Sequence, residues 1–339
     1  MKKRAQLRLP GWAPGLLISV IAVVVLVRFI DPNIFIESIR SINQLDILIF
    51  LFFLLLSLMI RAAAWKFLLV GVSYKDAFLI INEGYFFNNL IPRSGEIART
   101  ILTSGISSLG VMEVAAGILF ERALDVIIAS AMFLITLPLA LSLSWIKPIA
   151  TVLLISLVGV VVLMLLVAAN SARLEKKFQS IRSTNPFVTR YIIGGAVKIT
   201  RAMALLNRPR DIALAFLLIL LTWSIWTLML FYGIRIIVPD APFWWSVFAE
   251  GVLALGIAVP SAPASLGVYE GTMVAALSVF GINTSQALSL AVVLHFLQIL
   301  VTSLIGVYGL FIQGHSITGM IGKIRSKFTS EKMNEKTEA

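Results

Sequence analysis

The sequence contains no cysteine, two histidines and few charged residues. Without cysteine the chain forms no disulfide, offers no thiolate nucleophile and builds no cysteine-ligated metal site. No aspartate-rich cluster accompanies the histidines, and no Gly-x-x-x-x-Gly-Lys loop for a nucleotide phosphate occurs. From these shortages we expect no metal site, no cofactor, no enzymatic activity and no ATP hydrolysis through such a loop.

Charged residues make up 13% of the 339 residues, whereas hydrophobic residues make up 59% and the mean hydropathy is +0.97. A soluble domain has about 25% charged residues. The hydrophobic residues occur in uninterrupted runs, and a helix needs about 20 such residues to cross the hydrocarbon core of a bilayer. The composition therefore predicts an all-α polytopic membrane protein.

Basic residues outnumber acidic residues by 28 to 17, which gives a formal net charge of +11. They cluster in the loops between the hydrophobic runs, where lysine and arginine orient a membrane protein and attract anionic lipid. We therefore expect anionic membrane lipids as partners, and no nucleic acid. The first hydrophobic run, 16–30, is not followed by an Ala-x-Ala cleavage site, so we expect a retained helix rather than a signal peptide.

The hydrophobic pattern divides the chain into six full spans and two interrupted segments. The predicted spans are 13–30, 47–70, 110–140, 147–168, 211–237 and 285–312. The interrupted segments, 76–105 and 243–280, contain proline and glycine and predict broken or re-entrant helices; if both count as crossings, the chain makes eight crossings instead of six. We expect residues 1–313 to form one membrane domain and residues 314–339 to form a polar cytoplasmic tail.

The distribution of basic residues predicts the orientation of the spans. Both termini, the 70–76 turn and the basic 170–210 connection share the cytoplasmic face, and residues 188–206 have the pattern of an amphipathic surface helix. The two interrupted segments then enter from opposite faces, which is the arrangement of an inverted repeat with discontinuous helices. Arg61 and Lys66 are predicted to extend to the interface at the end of the second span.

Polar residues concentrate at the two interruptions. Arginine offers a fork of donors that suits phosphate, whereas asparagine caps broken backbone or binds a head group. The candidate substrate-binding residues here are Asn88, Asn89, Arg93, Glu96, Arg99 and Glu270. The residues expected to set the backbone geometry of the breaks are Pro92, Gly95, Pro260, Pro263 and Gly267.

The third span carries Glu121, Arg122 and Asp125, which complete the candidate substrate-binding set. Ionisable groups at this depth must face protein or a water-filled cavity. Arg122 is a candidate phosphate ligand; alternatively, it neutralises Asp125 or a glutamate of a broken segment.

Further polar and aromatic residues have predicted roles of their own. The candidates for proton coupling are Glu83, Glu250 and His295, although a lone histidine in a membrane is also typical of hydrogen-bonded packing. The predicted interface anchors are Trp223, Trp226, Trp244 and Trp245.

These motifs together resemble one family. Asn88-Asn89-Leu90-Ile91-Pro92, Gly95-Glu96 with Arg99, Glu121-Arg122 with Asp125, and Pro260 through Gly267 to Glu270 resemble the lysylphosphatidylglycerol synthase transmembrane-region family, also called flippase-like integral membrane proteins. The resemblance implies a bacterial or archaeal cytoplasmic membrane and lipid translocation rather than lipid aminoacylation. Ala264-Ser265 and His295 depart from the family pattern, which has a glycine pair and an arginine at these places.

The leading hypothesis is a transporter, flippase or scramblase that moves an anionic phospholipid or a polyprenyl-phosphate-linked lipid between leaflets. One alternative is an accessory membrane subunit that docks a glycosyltransferase or lipid-synthesis partner through the basic 170–210 connection. Another is an intramembrane lipid-phosphate enzyme. The transport hypothesis requires the two interrupted segments and the third span to converge.

Overall fold

A computed structural model describes residues 13–69, 71–141, 146–181, 208–259 and 261–314, together with residues 193, 197, 200 and 319. Within these residues the secondary structure is helical, without β-strands. The all-α prediction is thus confirmed. The predicted surface helix 188–206 and the tail 314–339 lie almost wholly outside the described residues.

Long apolar helices form at all six predicted spans. They are α1 (Ala13–Phe29), α3 (Gln44–Leu68), α6 (Val111–Leu141), α7 (Ile146–Ala169), α9 (Pro209–Ile237) and α12 (Thr284–Ile312). Four of them, α3, α6, α9 and α12, are each long and apolar enough to cross a membrane by themselves. Large apolar side chains on their outer faces are exposed, as at Leu119 and Phe311, which is the surface that lipid covers in a membrane protein.

Both interrupted segments form helical hairpins. The first consists of α4 (Tyr74–Leu90) and α5 (Gly95–Ile106), and the second of α10 (Phe243–Ile257) and α11 (Val268–Ser278), with a 3₁₀ turn at Pro263–Ser265 before α11. The four helices have 17, 12, 15 and 11 residues. All are shorter than the about 20 residues that a crossing requires, so their lengths favour re-entrant hairpins over full crossings.

Two short helices lie beside the long ones, α2 (Pro32–Ser41) and α8 (Ser171–Ser180). No helix was predicted between the first two spans, where α2 lies. Asp31 caps this helix by accepting a hydrogen bond from the backbone N–H of Asn33 at 2.9 Å, and Pro32 occupies its first turn. Both features are known signals for a helix start.

The helices pack so that the hairpins lie inside the bundle. α4 packs against α12, α3 and α5, while α10 packs against α6 and α11. α4 runs antiparallel to α12, because a Cβ at Gly306 would meet Phe86 whereas one at Gly309 would meet Glu83. This packing brings the turns of the two hairpins together.

Candidate functional site

A cavity of about 540 Å³ lies where the turns of the two hairpins meet α6 and α12. Its lining combines apolar side chains, mainly from α9 and α10, with polar and charged side chains from the hairpins and from α3, α6, α9 and α12. The polar and charged lining residues are Ser57, Arg61, Asn88, Asn89, Arg93, Glu96, Arg122, Asp125, Thr222, Glu250, Ser261, Ser265, His295 and Gln298. The two interrupted segments and the third span thus converge, as the transport hypothesis requires.

The turn of the first hairpin is held by its own polar groups. The backbone N–H of Gly95 donates to Asn88 Oδ1 at 2.7 Å, and the Ser94 hydroxyl donates to the Phe87 carbonyl at 2.8 Å. Arg93 adopts a φ of 60°, which is uncommon for a residue with a side chain. Asn88 therefore acts at least as a cap on the broken backbone.

Gly95 also allows the two arms of this hairpin to touch. A Cβ at this position would lie 2.4 Å from the Gly84 carbonyl oxygen and 2.5 Å from Asn88 Nδ2. Contacts under 3.0 Å do not occur for real Cβ atoms. The close approach of α4 and α5 thus depends on glycine here.

The turn of the second hairpin runs through left-handed backbone. Ala264, Ser265 and Gly267 have φ values of 53°, 58° and 81°. The N–H of Gly267 donates to Glu270 Oε2 at 2.7 Å, which caps α11, and the N–H of Ala262 donates to Ser19 Oγ of α1 at 2.8 Å. Pro263 opens the 3₁₀ turn, and Pro260 lies outside the described residues.

Next to the cavity, four charged side chains form a buried cluster of two arginines and two carboxylates. Glu121 accepts from Arg61 Nε at 2.7 Å and from Arg99 Nη2 at 2.5 Å. Arg61 also binds Asp125 through two donors, one of them at 2.8 Å. Glu121 is 1% exposed and Arg99 2% exposed, so each charge depends on its partners for stability.

Two tryptophans complete the hydrogen bonding of this cluster. Trp65 Nε1 donates to Glu121 Oε2 at 2.7 Å, and its ring lies 4.3 Å from the Arg99 guanidinium carbon. Trp223 Nε1 donates to Asp125 Oδ1 at 3.0 Å. Each carboxylate thereby receives donors from both an arginine and an indole.

The cluster corrects two predictions. Arg61 does not extend to the interface, because it is buried and bound to Glu121 and Asp125. Trp223 is not an interface anchor, since it binds Asp125. Sequence reading missed Arg61, although a third span with more carboxylates than arginines signals that another helix must supply a cation.

Arg99 and Glu121 were predicted to bind substrate, and the structure places both in this buried cluster rather than on the cavity lining. Arg99 pairs with Glu121 and is covered on one side by Trp65. Trp226 lies on the cavity lining beside Trp223 instead of at an interface.

Arg122 is held more loosely than the other two arginines. Its Nη1 lies 3.4 Å from Asp125 Oδ2, and its Nε lies 3.6 Å from Glu96 Oε1. A charge-assisted hydrogen bond between these atom types is about 2.7–2.9 Å long. The side chain is 36% exposed and lines the cavity, so the guanidinium retains donors for a ligand in addition to its two weak ion pairs.

Asn89 and Arg93 connect the first hairpin to its surroundings. Asn89 Nδ2 lies 3.0 Å from Ser303 Oγ and 3.3 Å from Thr302 Oγ1, both on α12. Arg93 is exposed and donates through Nη2 to the Ala258 carbonyl at 3.1 Å. This last hydrogen bond joins the turn of the first hairpin to that of the second.

His295 and Glu270 form a hydrogen-bonded pair at the other side of the cavity. His295 Nδ1 lies 2.7 Å from Glu270 Oε1, and the imidazole stacks on the Tyr269 ring with centroids 4.0 Å apart. His295 and Tyr269 line the cavity, whereas Glu270, a predicted substrate-binding residue, does not line it and is bound to His295. The histidine is therefore both a packed residue and a cavity residue.

The remaining two carboxylates lie in different places. Glu250 lines the cavity and makes no hydrogen bond or ion pair with a described side chain, whereas Glu83 is buried between α4 and α12, away from the lining. No group of three histidine, aspartate or glutamate side chains suited to a metal ion occurs among the described residues.

A comparison with protein families gives one match. The family described as the lysylphosphatidylglycerol synthase TM region matches residues 12–306 of the 339 residues. The matched range contains both hairpins, the buried charge cluster and nearly all of α12. No curated protein and no solved structure matches the chain significantly.

Proposed function

This chain belongs to the lysylphosphatidylglycerol synthase transmembrane-region family, and we propose that it moves an anionic phospholipid or a polyprenyl-phosphate-linked lipid between the leaflets of a membrane. The observation that carries the proposal is the cavity between the two hairpin turns, which contains a loosely paired arginine. In the proposed reaction the lipid changes leaflet and keeps its covalent structure.

The cavity lining has residues suited to each part of a lipid. Arg93, Glu96 and Arg122 suit a head group, whereas Met229, Leu253 and other apolar residues suit the acyl or prenyl chains. A polar head group is costly to place in hydrocarbon, and a polar cavity inside the bundle lowers that cost. The acyl or prenyl chains remain against the apolar lining residues and the surrounding lipid.

Arg122 is the residue proposed to bind the lipid phosphate. Its guanidinium is the least saturated of the three in this region, because its contacts of 3.4 and 3.6 Å are long for an ion pair. Phosphate oxygens accept two parallel hydrogen bonds from arginine. A bound phosphate would replace two weak contacts with stronger ones, whereas Arg61 and Arg99 would have to abandon strong partners.

Arg93 and the start of α5 are proposed to contribute further positive potential. Arg93 donates to a neutral carbonyl, that of Ala258, and this bond can be exchanged for one to a charged phosphate oxygen. α5 begins at Gly95, immediately after the turn, and the N-terminus of a helix favours a nearby anion.

The test is lipid movement in proteoliposomes that contain fluorescent phosphatidylglycerol or phosphatidylcholine. We expect the wild-type protein to move phosphatidylglycerol faster, and Arg122→Ala to slow this movement about 10- to 100-fold, the loss of one hydrogen bond between charged groups. Arg235→Ala is the matched control, because Arg235 lies at the end of α9 and donates to the Pro239 carbonyl, outside the cavity lining.

The same assay separates transport from the alternatives. Unchanged movement in Arg122→Ala would refute the proposed phosphate site. A protein that moves neither lipid under any condition would favour the accessory-subunit hypothesis. Recovery of a chemically altered lipid, detected by mass spectrometry, would instead indicate an enzyme.

A further inference from the structure

Glu83 is a buried carboxylate for which the lipid cavity offers no role. It lies on α4, nine residues after Tyr74, and is 0% exposed. Neither of its carboxylate oxygens has a hydrogen-bond partner among the described residues. A fully buried charged group without a partner is one of the most costly arrangements in a protein.

Glu83 packs closely against a residue that carries no charge. Its side chain packs against Gly309 of α12, where a Cβ would lie 2.4 Å from Glu83 Oε1. Glycine at this position leaves room for the carboxyl group but supplies no donor. One turn earlier on α12, Gly306 packs in the same way against the Asn82 carbonyl, at 2.7 Å from a Cβ placed there.

A second polar group beside Glu83 also lacks a partner. Asn82 is 0% exposed; its Nδ2 donates to the Phe78 carbonyl at 2.8 Å, but its Oδ1 accepts nothing from a described residue. At the end of α12 the side-chain atoms of Gln313 are buried and unpaired as well. Glu83 and Asn82 thus present unpaired acceptors at adjacent positions of α4.

We propose that Glu83 is a proton-binding site at the α4–α12 interface, separate from the lipid cavity, and that the proton it takes up and releases is coupled to lipid movement. The coupling part rests on the transport function proposed above, whereas proton binding does not. A proton requires a single oxygen, whereas a metal cation requires several ligands, and the glycine facing Glu83 provides none.

No ionisable side chain among the described residues neutralises Glu83. On its own helix the charge that acts on it is Asp76, which is also negative. On the neighbouring helices, Arg61 of α3 and Arg99 of α5 are bound to Glu121. On α12, His295 is bound to Glu270 and Tyr308 is exposed.

Release of the proton would weaken the contact between the two helices. A charged Glu83 needs water or a donor, and neither fits against Gly309 while α4 and α12 remain packed. The same two helices also carry Asn89, which binds Ser303 and lines the cavity. A change in the protonation of Glu83 therefore acts on the cavity lining through α4 itself, because Glu83 and Asn89 lie on the same helix.

Carbodiimide labelling tests the binding site directly. Dicyclohexylcarbodiimide reacts with protonated carboxyl groups in apolar surroundings, and the adduct is located by mass spectrometry of the purified protein in detergent. We expect an adduct at Glu83 whose yield falls at least tenfold as the pH is raised, and no adduct at Glu37, an exposed glutamate of α2. The Glu83→Gln variant should lose the adduct at position 83 and no other adduct.

Labelling also distinguishes a proton from a metal cation. Protection of Glu83 by sodium at constant pH would overturn the proposal in favour of a sodium site. Absence of any adduct at Glu83 in folded protein, at every pH, would overturn it altogether. Because these readouts use the wild-type chain, they stand even if Glu83→Gln fails to fold.

Lipid distribution in proteoliposomes tests the coupling. If one proton moves with each lipid, a gradient of about one pH unit shifts the leaflet ratio up to about tenfold. We expect this shift in the wild-type protein and no shift in Glu83→Gln, although the variant still equilibrates lipid. Equal shifts in both would refute coupling through Glu83, and absence of lipid movement in both would refute the transport function while leaving the labelling result intact.

Discussion

Glu121 is the residue on which the buried charge of this protein depends most. It binds Arg61, Arg99 and Trp65 at 2.5 to 2.7 Å while it is 1% exposed. Arg61 has a second carboxylate, Asp125, but Arg99 has no other anionic partner among the described residues. Loss of the Glu121 charge would therefore leave a buried arginine without a counter-ion.

We predict that Glu121→Gln lowers the free energy of unfolding by about 3–5 kcal/mol, the cost of leaving a buried charge unpaired. Thermal and denaturant unfolding of the purified protein in detergent measures this loss. Glu37→Gln, on the exposed face of α2, is the control and should change the stability by less than about 0.5 kcal/mol. Equal stability of the two variants would show that Arg99 does not depend on Glu121.

For single residues, the sequence predicts which charged side chains need a partner but not which residue that partner is. Glu121 and Asp125 were predicted to face protein or a water-filled cavity because they lie within an apolar run. Their main partner, Arg61, is 60 residues away from Glu121 in the chain. Because its place near the end of a span equally suited the interface, no local pattern distinguished a buried ion pair from a lipid-facing arginine.

Among the structural elements, the first hairpin depends on how closely α4 and α5 approach. Gly95 meets the Gly84 carbonyl directly, and Gly84 in turn meets the aliphatic part of Arg99, where a Cβ would lie 2.5 Å from Cγ. The contact of the two glycines thus sets the position of both the hairpin turn and Arg99. Gly105 lies on α5, as Gly95 does, and a Cβ at Gly105 would have nothing within 4 Å.

We predict that Gly95→Ala destabilises the protein by about 1–3 kcal/mol, the usual cost of adding a methyl group to a closely packed contact. Gly105→Ala should instead be neutral or stabilising by up to about 1 kcal/mol, since alanine favours the helix. The melting temperatures of both variants in detergent provide the comparison. A melting temperature for Gly95→Ala at or above that of Gly105→Ala would mean that α4 and α5 are not in contact there.

Helices and hairpins were easier to predict from the sequence than ion pairs between helices. Pro92 and Gly95 interrupt an apolar stretch too short to cross a bilayer, and this combination predicted the first hairpin. The helix α2 was missed because its 10 residues are too few for a membrane span, although Phe35 and Ile39 recur at a helical spacing after Pro32. Its cap, Asp31, was visible in the sequence and could have indicated the helix start.

The molecule as a whole brings two hairpins together at their turns. Arg93 of the first donates to the Ala258 carbonyl of the second at 3.1 Å, and the cavity lies beside this bond. A lipid head group that passes between the hairpins must separate these turns. The proposed transport therefore requires the distance between Arg93 and Ala258 to increase in each cycle.

The absence of cysteine makes this requirement testable, because introduced thiols are the only ones in the chain. We predict that bridging Arg93→Cys to Ala258→Cys with a short, reducible bifunctional reagent slows lipid movement in proteoliposomes at least about tenfold, and that a reductant restores it. The comparison is made on one variant before and after reduction, so any direct effect of losing Arg93 cancels.

A second bridge distinguishes separation of the hairpins from general rigidity. Asp46 of α3 and Tyr232 of α9 are hydrogen-bonded at 2.6 Å, and neither lines the cavity. The bridged pair Asp46→Cys and Tyr232→Cys should move lipid at the rate of its reduced form, because α3 and α9 pack against each other and neither belongs to a hairpin. If bridging the hairpin turns has as little effect as bridging α3 to α9, the lipid does not pass between Arg93 and Ala258.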